Sequence, residues 1–185
     1  MTQPAGNIPF LLLGPGRSGT TLLARILDSH PDLAVPSETW MFDALFRLGA
    51  AKVFARRSHY VLFMNELWEH LQHDDVVAAS VIAQLAKDRP AYTGSVRPLV
   101  QAFGEQYCAR RHARMWGEKT PSHLLRVATI QKSFADSPMI LIARDPRDVL
   151  TSYAEAWNQG RYEDAFIMRN ALRIKRLAGY LPENV

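Results

Sequence analysis

The run Gly14-Pro15-Gly16-Arg17-Ser18-Gly19-Thr20-Thr21 carries the residue types that hold a polyanion. Glycines let the backbone curl so that several N–H groups converge on one point. Arg17 adds a full charge with a fixed fork of donors suited to phosphate or sulfate oxygens. A helix starting near Thr20 would add its partly positive end. The plain alternative is a glycine-rich strand–helix turn with no ligand. A Walker A loop reads GxxxxGK[ST], with lysine contacting the terminal phosphates. Thr20 stands in the lysine place here, so the loop suits an anion but not ATP in the usual way.

A second segment, Ile140-Leu141-Ile142-Ala143-Arg144-Asp145-Pro146-Arg147-Asp148-Val149-Leu150-Thr151-Ser152-Tyr153, has a related logic. A strand would deliver Arg144 to its carboxyl end, where α/β proteins bind ligands. The following helix would carry Ser152, and arginine plus hydroxyl suits a phosphate monoester. Otherwise Arg144 pairs with Asp145 or Asp148, and Ser152 faces solvent.

Other candidates are single residues. Glu38, in Pro36-Ser37-Glu38-Thr39-Trp40, could act as a general base if partial burial raised its pKa. It could equally be a first-turn glutamate favoured by the helix dipole. Lys119 and His123 lie in Trp116-Gly117-Glu118-Lys119-Thr120-Pro121-Ser122-His123, and His123 also reads as a helix-start histidine with a structural hydrogen bond. His70, His73 and Asp74 make a weak metal set without a further defined partner. Cys108 and His112 lie one helical turn apart, with nothing nearby to complete a nucleophile. Trp40, Phe42, Tyr60, Phe63 and Trp68 could line an acceptor pocket, although aromatics at helical spacing are usually core.

The stretch GPGRSGTTLLARILDSHPDL resembles the 5′-phosphosulfate loop of the PAPS-dependent sulfotransferases. The likeness is greatest to the tyrosylprotein and bacterial branches, which carry RSGTT where cytosolic members have KSGTT. Arg144 and Ser152 match the family's 3′-phosphate motif, an arginine at a strand end with a serine eight residues on. The segment around Lys119 resembles its lysine-bearing strand. The resemblance covers residues 8–40, 114–125 and 138–157.

It implies a P-loop-like, three-layer α/β fold with a central parallel sheet. Gly16, Arg17, Ser18, Gly19, Thr20 and Thr21 would hold the 5′-phosphosulfate, and Arg144 and Ser152 the 3′-phosphate. Arg17 and Lys119 would neutralise the transferred group and leaving phosphate, and Glu38 would be the base. His123 is the rival base, because cytosolic members place a histidine shortly after the lysine; here Pro121-Ser122 lengthens that spacing. The implied co-substrate is PAPS, released as PAP, with no metal. The implied acceptor is a hydroxyl on a small molecule, a carbohydrate or a peptide, and a homodimer is the assembly allowed for. Family members continue well past the 3′-phosphate motif, so a chain ending at Val185 is expected to lack the C-terminal part. Arg161-Tyr162-Glu163-Asp164 looks like a later family motif but comes too early, and reads as coincidence within a helix. The rival functions are a P-loop small-molecule kinase and a non-catalytic nucleotide-binding fragment.

The elements around these motifs follow from periodicity. Residues 8–13 and 138–143 are short continuous apolar runs, the pattern of buried parallel strands. Residues 33–35 and 115–117 are weaker strand candidates. Helical spacing marks 20–29, 39–49, 58–72, 75–87, 96–111, 124–134, 146–158 and 162–178. Asp145 suits an N-cap and Pro146 the first helical position. Strands alternating with helices predict a parallel α/β sheet in a single domain over 1–185, with a helical insertion at about 39–112.

The composition is that of an ordinary globular domain: 48% apolar and 22% charged, with net charge +4. One cysteine allows no intrachain disulfide. No apolar run approaches the ~20 residues that span a bilayer, and the N-terminus lacks a basic signal region, so a cytoplasmic protein is expected. Arg56-Arg57, Arg110-Arg111-Arg114 and Arg169-Arg173-Arg176 sit in helical segments with interspersed acids. Those are solvated faces rather than a nucleic-acid surface, which would interleave aromatics.

Overall fold

The computed structural model describes residues 9–157. The expected helix at 162–178, the Arg161–Asp164 motif and the Arg169 cluster lie outside the described residues. Four strands, β1 (Phe10–Leu13), β2 (Leu33–Ala34), β3 (Met115–Glu118) and β4 (Met139–Leu141), form a sheet in the order β2-β3-β1-β4. Every pairing is parallel, with Leu11 opposite both Glu118 and Met139.

β1 explains the layering. Its residues are all buried, and successive side chains point to opposite faces of the sheet. Leu11 and Leu13 enter the larger core, with residues of α2 (Met41–Leu48), α4 (Arg57–Leu71), α5 (Val76–Lys87) and α6 (Arg97–Arg111). Phe10 and Leu12 enter a smaller cluster with Ala24 of α1 (Thr20–Asp28) and Val35. A helix layer on each face and the sheet between them make the three layers.

The insertion between β2 and β3 is helical as expected, with one addition. After Gly49 a short helix, α3 (Ala50–Ala55), precedes α4. α5 begins where the Asp74-Asp75 break placed it, with the Asp75 carboxylate accepting from Ala78 N at 2.8 Å. The Tyr60 hydroxyl donates to Leu85 O at 2.9 Å and ties α4 to α5.

Two expectations need correction. The continuous helix over 124–134 is instead a 3₁₀ turn, Pro121–Arg126, leading into α7 (Val127–Ser133). The apolar run at 138–143 is not a fully buried strand. β4 is last in the strand order and pairs only with β1 among the described residues, leaving Ile140 and Leu141 37% and 38% exposed. α8 (Pro146–Trp157) follows it. No helix among the described residues is long and apolar enough to cross a membrane.

Candidate active site

Parallel strands put all their carboxyl ends on one edge of a sheet. The segments after β1, β2, β3 and β4, which carry Arg17, Glu38, Lys119 and Arg144, therefore share that edge.

The loop after β1 is tightly built. Ser18 is buried, and its backbone N–H and hydroxyl both donate to Pro15 O, at 3.2 and 2.6 Å. Gly19 begins α1 with φ +101°, in the left-handed region that glycine enters without steric cost, and no side chain caps the helix. The first-turn amides of α1 therefore have no side-chain cap and are open to water or a ligand. A Cβ at Gly16 would overlap the Tyr153 hydroxyl of α8, so a side chain there would have to displace that ring. Arg17 is itself left-handed at φ 66°, a conformation a non-glycine residue holds only when its surroundings enforce it.

Those surroundings are the second predicted segment. Arg17 Nε donates to Ser152 Oγ at 3.0 Å, and Arg144 Nη1 donates to the Arg17 carbonyl at 3.0 Å. Arg144 also lies 3.7 Å from Asp148, one turn along α8. Asp145 takes no part in that pair. Its carboxylate accepts from the Arg147 guanidinium and backbone N–H, which hold its pKa down to about 2. Asp145 caps α8 as the sequence indicated.

Between loop and insertion lies Lys119, at the end of β3. Its ammonium donates to Glu38 at 2.9 Å and reaches Thr21 Oγ1 at 3.5 Å. Lys119 is 5% exposed and Glu38 30%. A charge so buried needs an opposite charge close by, and Glu38 supplies it.

Next to this pair is a polar group that motif reading did not single out. Glu118 is buried, and its carboxylate accepts from Thr39 Oγ1 at 2.9 Å and Thr120 Oγ1 at 2.8 Å. The signal for it was alternation: if Lys119 faces the loop, Glu118 faces the other side. His123 belongs to this group. It is 1% exposed, with Nδ1 3.3 Å from Glu118 and Nε2 3.7 Å from Asp43, and packs edge-on against Phe42 at 5.1 Å. Asp43 also accepts from the Ser122 hydroxyl.

The remaining candidates separate cleanly. Phe42, Tyr60 and Phe63 are core, whereas Trp40 and Trp68 are partly exposed. Trp40 has φ 55° and lies 5.9 Å from the His70 ring. Cys108 is buried, which pushes its thiol up to about 11, and His112 ends α6 in a left-handed turn. Among the described residues no group of three His, Cys, Asp or Glu side chains could hold a metal ion.

An uncapped helix start, a left-handed arginine and a buried lysine thus lie at one sheet edge of a three-layer α/β domain. The sulfotransferase family model matches residues 9–178, and the chain belongs to that family. It is 28% identical over 160 residues to the nodulation protein NoeE of Sinorhizobium fredii, covering 85% of this chain and 34% of that protein. It is 29% identical over 142 residues to a Caenorhabditis briggsae protein named "Putative protein-tyrosine sulfotransferase", covering 77% and 41%. The sulfotransferase STF9 structure from Mycobacterium avium aligns at a TM-score of 0.49 with 19% identity, covering 96% of this chain and 55% of that one. The chain thus spans about a third to two fifths of the length of the curated relatives it matches.

Proposed function

We propose that the chain transfers the sulfuryl group of PAPS to an acceptor hydroxyl and releases PAP. The observation carrying this reading is Lys119, whose ammonium touches both Thr21 of the anion loop and the carboxylate of Glu38. A cation shared by an anion cradle and a carboxylate suits transfer of an anionic group to a hydroxyl.

In this reading the loop from Gly16 to Thr21 holds the 5′-phosphosulfate, and Arg144 and Ser152 hold the 3′-phosphate. The bond between sulfur and the bridging 5′-phosphate oxygen breaks, and one from sulfur to the acceptor oxygen forms. Glu38 takes the acceptor proton. Arg17 and Lys119 face the charge that builds on the sulfuryl and leaving oxygens, where fixed donors are worth most. The chemistry asks mainly for positioning and electrostatics, as in phosphoryl transfer. His123, enclosed by Glu118, Asp43 and Phe42, is assigned the support of this site rather than the base.

Titration of the chain with PAP and with ATP plus Mg²⁺ tests the reading. Tight PAP and weak ATP binding is expected. Preference for Mg·ATP would make the chain a kinase, and binding of PAP with no transfer to any acceptor would make it a nucleotide-binding module.

A further inference from the structure

α1 does more than present its N-terminus. Thr21, Arg25 and Asp28 recur every three or four residues and so share one flank of the helix. That flank is one wall of a cavity of about 430 Å³, in the range of small-molecule sites. Asp74, the first turn of α5 and Arg111 at the end of α6 form its other side, and Lys119 reaches it. Arg17, Arg144 and Ser152 do not line it. The cavity therefore meets the anion loop at Thr21 and Lys119 and is separate from the 3′-phosphate anchor.

We propose that this cavity is the acceptor site and that its acceptor is an uncharged saccharide, placing one hydroxyl at Lys119, the lining residue whose ammonium bonds Glu38. This inference rests on the sulfuryl-transfer reading above.

The character of the wall makes the argument. Arg25, Arg111 and Lys119 balance Asp28, Asp74 and Asp75, so the lining has no net formal charge. Much of it is fixed in place. Asp28 accepts from Arg111 at 3.0 and 3.1 Å and from Val35 N at 2.8 Å. Asp75 accepts from Ser37 N at 3.1 Å and the Tyr107 hydroxyl at 3.0 Å, besides capping α5. An anionic acceptor would meet the held carboxylates, and a cationic one the guanidinium of Arg111. A polyol donates and accepts at every hydroxyl, which matches carboxylates with spare lone pairs beside guanidinium donors. A phenol or tyrosyl ring would look for aromatic or extended apolar walls, and no aromatic side chain lines this cavity. Val76 is 72% exposed and offers a small apolar face of the kind that covers the C–H side of a sugar ring.

Binding is read by saturation-transfer NMR and calorimetry on the PAP-bound chain. The probes are maltose, cellobiose, lactose and sucrose, with 4-nitrophenol and a tyrosyl peptide as competitors. Arg25 is exposed and Val76 projects outward, so Arg25→Ala and Val76→Trp leave the core untouched. At least one disaccharide is expected to bind, and each substitution to weaken it roughly tenfold with PAP affinity unchanged. Binding of the phenol or peptide instead, silence from every disaccharide, or saccharide affinity indifferent to both substitutions overturns the proposal. If PAP fails to bind while a disaccharide does so in this cavity, the transfer reading falls and the saccharide site stands.

Discussion

Thr39 donates its hydroxyl to the buried carboxylate of Glu118 across 2.9 Å, fastening the neighbour of Glu38 to the neighbour of Lys119. The same carboxylate holds Thr120, so both sides of the Lys119–Glu38 pair are tied to one internal anion. Thr39→Val keeps the shape and removes the donor. A buried carboxylate losing one such bond should destabilise the fold by about 1.5–3 kcal/mol, seen as a lower midpoint in urea. Transfer should fall as well, because Glu38 loses its fixed backbone neighbour. An unchanged midpoint would mean that Glu118 finds another donor.

Glu38 and His123 should respond differently to replacement. Glu38→Gln should lower transfer roughly 10²–10⁴-fold, the range for a general base, with PAP affinity equal or slightly higher because Lys119 is released. His123→Asn should act chiefly on stability, since the ring is enclosed by Glu118, Asp43 and Phe42. Single-turnover rates beside thermal melts separate the two. Loss of transfer by His123→Asn at full stability would move the base to the histidine.

PAP should bind far better than AMP. Without a 3′-phosphate, Arg144 and Ser152 are left with their contacts to Arg17 and Asp148 among the described residues. Losing a charge-assisted contact of about 1.5–3 kcal/mol corresponds to roughly ten- to a hundredfold in affinity. Calorimetry on both nucleotides measures it, and Arg144→Ala should erase the preference.

Cys108 gives a pH-dependent signature. Burial pushes its thiol from the ordinary value near 9 up to about 11. The folded state therefore holds the proton that the unfolded chain releases first. This contribution to stability is complete below about pH 9 and is lost as pH rises towards 11. Native protein at pH 8 should resist thiol reagents until it is unfolded. Rapid labelling of the native chain would contradict the enclosed position.

How much of this was legible depends on the range of the interaction. The loop at 14–21, the Asp145-Pro146 start of α8 and the Arg144–Ser152 spacing are local, written in adjacent residue types. The alternation of Phe10 and Leu12 against Leu11 and Leu13 across β1 is hidden, because a strand buried on both faces shows no polar–apolar period. The run at 138–143 is just as continuously apolar in sequence, so nothing in it revealed that β4 lies at the end of the strand order with Ile140 and Leu141 partly exposed. Glu118, Thr39 and Asp43 were missed because the bonds that join them to the site, Thr39 to Glu118 and Ser122 to Asp43, each link residues 79 apart in the chain. Only the fold brings them together, and a glutamate beside a lysine in GEKT gives no sign of which way it points.

The Lys119–Glu38 ion pair has a consequence in time. On the proposed transfer reading, the carboxylate that would receive the proton is engaged by Lys119 in the free chain, so the site would begin switched off. An anion settling at Thr21 would compete for that ammonium and loosen its hold on Glu38. Donor arrival would then ready the base, and an acceptor arriving first would meet a carboxylate still occupied. The kinetics should therefore be ordered, donor leading. PAP should compete with PAPS and inhibit non-competitively against the acceptor, and equal competition against both substrates would show that the pair opens without the donor.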